Sequence, residues 1–289
     1  MKPVKIAIAS GKGGTGKTFV ATNIFNALIK ENIPATIVDC DAEEPNVHLF
    51  YKNGVLETET EVFIKVPVID ESLCTHCDRC RQYCSYNAIF HIPSLKSISV
   101  MEELCHGCNA CFVACNDNAI NPKQKSLGKV RRYKIGEQHR FIEARTHIGV
   151  YSSVDVIKAA IAESSQDKYV ILDSPPGTSC PFIQTAHRSD YVVLVAEPTP
   201  FGLSDLIQSV ETLKDMDKPY GVVVNKVDIG NDDMFEYLRE NNIELLKKIP
   251  FSREIAENYS KGILYSSADK GLRTEFLDLF ENIKNRLWK

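Results

Sequence analysis

Runs of apolar, β-branched residues recur along the chain and alternate with stretches of helical spacing. VKIAIAS, the ATIVD of ATIVDCDAEEPN, the YVILD of KYVILDSPPGTS, YVVLVA and YGVVVN are each short and predominantly apolar, as buried strands are. FVATNIFNALIKEN, SDLIQSVETLKDM and DMFEYLRENN carry apolar positions three and four apart and read as helices. Strands alternating with helices predict an α/β fold with a doubly wound, mostly parallel sheet. The polar segments all follow strands, so they gather at the carboxyl edge, where such sheets bind ligands. Near the C-terminus Phe276, Phe280, Ile283 and Leu287 stand at helical spacing before the basic ending KNRLWK. That stripe is expected to pack into the core rather than to anchor a membrane.

One region breaks the rhythm. ESLCTHCDRCRQYCSYNAI (71–89) and EELCHGCNACFVACNDNAI (102–120) align with every cysteine repeated at an offset of 31 residues. Glu71/Glu102, Leu73/Leu104, Asn87/Asn118, Ala88/Ala119 and Ile89/Ile120 repeat with them. This internal duplication predicts a small inserted α+β domain over 66–121, placed within a discontinuous α/β domain of 1–65 and 122–289. Residues 123–145 hold eight Lys/Arg against two Glu. They are expected to form a solvated hairpin flank, with a docking face for an acidic redox partner as the alternative.

Composition narrows the function. With 44% hydrophobic and 25% charged residues over 289 positions, the chain is globular in type. A net charge of −4 gives no support to nucleic-acid binding. No apolar run nears the ~20 residues of a membrane span, and the N-terminal residues lead directly into a strand, so a cytoplasmic location is expected. There, ten cysteines at metal spacing indicate metal or redox chemistry rather than disulfides.

Gly11, four residues, then Gly16-Lys17-Thr18 match the phosphate-loop pattern between a strand and a helix. Gly11, Gly13, Gly14, Thr15 and Gly16 offer unhindered backbone donors. Lys17 supplies a cation, and Thr18 a hydroxyl for Mg²⁺. Asp173 ends a strand, where a carboxylate holds Mg²⁺, often through water. The loop GKGGTGKT resembles the deviant Walker A loop of the MinD/ParA/Mrp and nitrogenase iron protein class. DCDAEEPN, DSPPGTS, EPTPFGLSD, VVNKVD and IPFSREIAE extend the resemblance along nearly the whole α/β part. It implies a nucleotide-dependent homodimer in which Lys12 reaches the partner's nucleotide. It also implies that Asp41 positions or activates the attacking water and that Asn225 faces adenine. Asp39, two residues before Asp41, is the less favoured candidate for a switch carboxylate and is otherwise a solvated strand-end carboxylate.

Cys74, Cys77, Cys80, Cys84 and Cys105, Cys108, Cys111, Cys115 are two copies of C-x₂-C-x₂-C-x₃-C. Zinc sites usually pair two C-x₂-C knuckles around a longer spacer, so the spacing favours iron–sulfur clusters. The module resembles a bacterial-type ferredoxin with two [4Fe–4S] clusters. That resemblance implies that the fourth ligand of each cluster comes from the other motif. One cluster would take Cys74, Cys77, Cys80 and Cys115; the other Cys105, Cys108, Cys111 and Cys84. Ser85 and Asn116 stand where such ferredoxins usually have proline. His76 and His106 are expected beside the clusters, not as ligands. Cys40 and Cys180 are expected to be buried and inert, although Cys180 stands where nitrogenase iron proteins keep a ligand at the dimer axis.

Together these readings predict an ATP- and Mg²⁺-binding ATPase whose turnover gates electron transfer through two [4Fe–4S] clusters to a redox or iron–sulfur protein partner. An iron–sulfur carrier or assembly ATPase and a redox-sensing positioning ATPase are the alternatives.

Overall fold

The computed structural model describes residues 3–268 and 270–287, so Trp288 and Lys289 of the basic ending lie outside the described residues. The chain runs β1 (Val4–Ala9), α1 (Lys17–Lys30), β2 (Ala35–Asp39), β3 (Val55–Ile69), α2 (Arg79–Gln82), β4 (Ile89–Ile92) and β5 (Ser97–Val100). It continues through α3 (Ala110–Ala114), β6 (Ile120–Ile135), β7 (His139–Thr146), α4 (Val154–Glu163), β8 (Tyr169–Asp173) and α5 (Cys180–His187). The remainder is β9 (Tyr191–Ala196), α6 (Pro200–Asp215), β10 (Tyr220–Asn225), α7 (Asp233–Glu240), β11 (Leu245–Ile249), α8 (Arg253–Ser260), α9 (Tyr265–Ala268) and α10 (Lys270–Leu287).

Nine strands form one sheet in the order β11-β10-β9-β1-β8-β2-β7-β6-β3. All neighbours are parallel except β7 with β6 and β6 with β3. Helices cover both faces, which is why the central strands are apolar on both sides: all six residues of β9 and all five of β2 are buried. α1 is enclosed almost all round, with Phe19, Ile24, Phe25 and Leu28 packed in one core layer. The C-terminal stripe joins that layer: Phe276, Phe280 and Ile283 are fully buried in it. Among the described residues no helix is long and apolar enough to cross a membrane.

Residues 123–145 form the expected hairpin, β6 turning into β7, but only its start and turn are solvated. β7 is a core strand between β2 and β6, with Phe141, Ile142 and Ala144 buried. All eight basic residues of the stretch are engaged. Lys129, Arg131, Arg132 and Arg140 pair with Glu57, Glu59 and Glu61 of β3. Lys123 and Lys125 hold Glu102, Lys134 holds Glu137, and Arg145 holds Glu143. A free basic docking face is therefore not what this sequence builds.

β7 pairs with β6 only over 128–135. Beyond that, β3 and β6 continue alone as a two-stranded ribbon as far as Ile69↔Ile120, and the cysteine-rich segment hangs from its end. Residues 66 and 121 lie inside this ribbon. The duplication is visible in the backbone. Left-handed residues recur at the same offset of 31: His76 (φ 56°) with Gly107 (φ 66°), Asp78 (67°) with Asn109 (64°), and Asn87 (53°) with Asn118 (52°). The segment's own apolar core is small, consisting of Ile89 and Ile98 with Cys80 and Cys111, fringed by Ile69, Phe112 and Ile120. A unit this poor in apolar burial needs another source of stability.

Candidate functional site

β1 delivers the chain into the glycine loop, and α1 leaves from it. Gly16 caps the helix at φ 97°, and a Cβ there would stand 2.4 Å from Asn225 Nδ2, so only glycine fits. Gly13 and Gly14 are exposed, whereas Gly11 is half-buried and Thr15 is buried. α1 begins at Lys17, which aims its first backbone N–H groups and its dipole at the loop, as an anion site requires.

Lys17 is buried among three carboxylates contributed by two neighbouring strands. Its Nζ lies 3.2 Å from Asp41 Oδ2 and 4.0 Å from Asp173 Oδ1. Thr18 Oγ1 donates to Asp173 Oδ2 at 2.6 Å. Asp39 faces Asp173 across the β2/β8 register. One ammonium cannot satisfy three acids. Burial works against the Lys17 charge, but Asp173 and then Asp41 outweigh it and hold the pKa above the ordinary lysine value. The carboxylates are left short of positive charge. Burial pushes Asp173 up, with Asp41 adding to it against Lys17 and Thr18. Burial and then Asp173 push Asp39 well up. Asp173 Oδ1 is buried with no hydrogen-bond partner. An acidic, desolvated pocket with an orphaned carboxylate oxygen beside a threonine hydroxyl has the donor set of a Mg²⁺ site, hard oxygen ligands with room for water.

Asp39 differs from the sequence expectation. It is completely buried and accepts the backbone N–H groups of Asp41 (3.1 Å), Asn46 (2.8 Å) and Val47 (2.9 Å). It thereby folds the segment that presents Asp41. A strand-end aspartate gives no sequence signal of which backbone donors will wrap around it.

These directions carry a pH consequence. A buried acid whose pKa is raised binds its proton more tightly in the native state than in the unfolded chain. Its ionisation withdraws stability as pH rises above the ordinary value near 3.8. The nucleotide-free Asp173→Asn protein, which mimics the neutral acid, should melt a few degrees above wild type near pH 8, with the gap closing toward pH 4. Melting curves across that range measure it; a gap independent of pH would contradict the account.

On the other side of the loop, a cavity with about 650 Å³ of open space is walled by Phe19, Asn225, Lys226, Phe251, Ile255 and Tyr259, among others. Asn225 ties β10 to the loop, its Nδ2 donating to Thr15 O at 2.8 Å, and its Oδ1 accepts from Lys226 N. Lys12 is one-third exposed and stands 3.9 Å from Glu197 Oε2 of its own chain. Glu197 also holds Lys226, whose Nζ reaches Gly14 O at 3.4 Å. Glu197, Lys226 and Tyr259 were not singled out from sequence. Glu197 could have been, because it follows an apolar strand within one residue, much as Asp173 closes one.

The eight motif cysteines gather into two groups, and the motifs cross. One cavity, with about 350 Å³ of space open to solvent at one side, is walled by Cys74, Cys77, Cys80 and Cys115, with Ile69, Ile98, Ala119 and Ile120. This is site I. A second cavity of similar volume is walled by Cys84, Cys105, Cys108 and Cys111, with Pro67, Ala88, Ile89 and Phe112. This is site II. The thiols interact in the same groups: burial and then Cys74, Cys77 and Cys115 raise the Cys80 pKa against a backbone donor. Burial followed by Cys105 and Cys108 pushes Cys111 up to about 11. Exposure follows the repeat, with Cys77 and Cys108 exposed and Cys80 and Cys111 buried. Among the described residues, no three His, Cys, Asp or Glu converge as ligands of a single metal ion. The thiols ring each cavity instead. His76 stacks on His91, and His106 on Tyr86. Cys40 is buried as expected, but Cys180 is exposed at the start of α5.

The sequence profile of the CobQ/CobB/MinD/ParA nucleotide binding domain matches residues 6–265. An uncharacterized protein of Methanocaldococcus jannaschii is 30% identical over 259 residues, covering 89% of each chain. An iron–sulfur cluster carrier protein of Pyrococcus furiosus is 23% identical over 305 residues, covering 98% of this chain and 86% of its own. Among solved structures, the septum site-determining protein MinD of Pyrococcus horikoshii, complexed with Mg-ADP, superposes with a TM-score of 0.60 at 17% identity. That match covers 97% of this chain and 96% of the other.

Proposed function

Because the chain belongs to the CobQ/CobB/MinD/ParA nucleotide-binding family, we propose that it is an ATPase that carries two [4Fe–4S] clusters and gates their electron transfer to a partner protein. The family accounts for the ATPase fold. The observation that carries the rest is the pair of crossed four-thiol cavities on a ribbon continuous with the nucleotide-binding sheet. A cubane takes one thiolate at each iron, so its ligands surround a volume rather than meet at a point. Apolar walls around each thiol ring suit such a cluster, and two clusters would supply the module's missing core.

In this reading Gly11, Lys12, Gly13, Gly14, Thr15, Gly16 and Lys17 hold the phosphates, and Asn225 with the adjacent cavity holds the base. Thr18 and Asp173 take Mg²⁺. Asp41 orients the attacking water. Cys74, Cys77, Cys80 and Cys115 ligate one cluster, Cys84, Cys105, Cys108 and Cys111 the other; when bound, the clusters supply one-electron storage. Two subunits close on ATP, with Lys12 released from Glu197 to reach the partner's nucleotide. The acceptor is a redox or iron–sulfur protein. Dithionite-reduced protein should deliver electrons to an acceptor at a rate that differs among ATP, ADP and no nucleotide. Equal rates in all three would end the gating reading.

The similarity to proteins named iron–sulfur cluster carriers favours a second reading, a carrier or assembly ATPase. Eight thiols, four around each of two apolar-walled cavities, argue for resident clusters. Rapid transfer of cluster to an apo-acceptor would reverse that preference.

A further inference from the structure

A groove with about 950 Å³ of open space separates the second cysteine motif from the ATPase body. Tyr86, Cys105 and His106 line one wall; Tyr151, Cys180 and Gln184 line the other. The walls touch where the His106 ring meets Tyr151 edge-on, with centroids 5.3 Å apart. On its own side His106 stacks on Tyr86 at 3.8 Å. The following residue, Gly107, has φ 66°, and a Cβ there would come within 2.9 Å of Ile64 Cβ, so the loop is wedged against β3. The loop bearing Cys105 is thus set tightly, with little slack to absorb a push from the groove.

The opposite wall leads back to the nucleotide site by two routes. The loop carrying Tyr151 leaves β7 at Thr146, whose backbone N–H and hydroxyl both donate to Ala42 O, at 2.8 and 3.0 Å. Ala42 is the neighbour of Asp41. The second route starts at Asp173. The residues after it are pinned by Ser174 N to Ile8 O and by Gly177 N to Ser10 O of the phosphate loop, and they end in Cys180, the first residue of α5. The segment after Asp173 thus ends in that wall, and the segment holding Asp41 and Ala42 is hydrogen-bonded to the base of the loop that carries Tyr151. That wall faces a ligand of site II. Both sites are lined by residues of the cysteine-rich segment and the ribbon, but Tyr86, Cys105 and His106 of site II also line the groove, and no residue of site I does.

We propose that nucleotide state reaches site II and not site I, through this groove, with Thr146 and Tyr151 as positioning residues and His106 as their contact on the ligand loop. The proposal rests on the reading of the cavities as cluster sites in a nucleotide-switched ATPase. A displacement of either carboxylate segment moves Tyr151 or Cys180 against the Cys105 loop and alters packing and solvent access at site II. Cluster potentials depend on both.

The test uses the loaded, full-length protein. With eight thiols ligated and Cys40 buried, Cys180 is the accessible thiol. A small maleimide should label it at a rate changed about fivefold or more by a non-hydrolysable ATP analogue, the lower end of typical coupling. In an EPR-monitored redox titration the analogue should move one cluster's signal, the one that Cys84→Ser alters. Tyr151→Ala should abolish that movement and Tyr151→Phe should retain it, while ATP hydrolysis persists in both. Movement of the signal altered by Cys115→Ser, equal movement of both, or an undiminished shift in Tyr151→Ala would overturn the proposal. Labelling of the motif cysteines as fast as Cys180 would overturn the cluster reading itself, and this proposal with it.

Discussion

Asp41→Ala should stop ATP turnover, lowering kcat by roughly 10²–10⁴-fold as loss of a positioned proton acceptor does, and should leave nucleotide binding in place. The geometry separates the two effects. The Asp41 side chain is only 17% exposed and points at Lys17 Nζ. Its backbone, however, is placed by Asp39, which takes the Asp41 N–H. Truncating the side chain therefore leaves the segment folded. Lys17 keeps Asp173 as a partner, and Thr18 with Asp173 keeps the Mg²⁺ donor set. Bound ATP that cannot turn over should hold the closed assembly, so the variant accumulates as a dimer. Steady-state hydrolysis, nucleotide binding and sedimentation on one preparation measure all three. Hydrolysis at the wild-type rate would remove Asp41 from the mechanism, whatever the dimer does.

The second large effect concerns how cysteine pairs would share the proposed clusters. Cys77 and Cys115 wall the same cavity, whereas Cys77 and Cys84 wall different ones. The Cys77→Ser/Cys115→Ser double variant removes two ligands from site I and none from site II. It should retain about half of the roughly eight irons that two cubanes hold. Cys77→Ser/Cys84→Ser damages both sites and should retain few. Pairing within each motif predicts the reverse, because Cys77 and Cys84 would then share one cluster. Iron and sulfide analysis of anaerobically purified protein, with the visible spectrum, distinguishes the two. Retention of more iron by Cys77/Cys84 than by Cys77/Cys115 would exclude the crossed arrangement.

Much of this architecture is legible in one dimension because the signals are local. A phosphate loop needs its glycines and lysine contiguous, and the duplicated motif repeats ligand spacing and turn residues together, down to the left-handed positions. The central strands show as predominantly apolar runs because both their faces are covered. β7 does not show. Arg140, Glu143 and Arg145 interrupt it, and only their pairing makes burial tolerable there: Glu143 is almost completely buried and meets Arg131 at 3.3 Å and Arg145 at 3.0 Å. The basic stretch reads in one dimension as a solvated flank, or alternatively a docking face, because its acidic counterpart, Glu57 to Glu61, lies some 70 residues earlier in the chain, as in Lys129–Glu59 and Arg131–Glu59. Asp39 and Cys180 differ from the sequence expectation for a related reason. Burial of a single side chain depends on which distant backbone folds over it.

The sequence alone determined the sheet type, the nucleotide loop and the two cysteine motifs, since each is written in residues close enough to constrain one another through short stretches of backbone. Only the tertiary structure decided that Asp39 is an internal strut, that Glu197 faces both Lys12 and Lys226, and that one thiol cavity shares residues with the groove against the ATPase body while the other does not. Those outcomes depend on pairing between strands and loops far apart in the chain, where charge satisfaction and packing space, not local preference, set which groups meet.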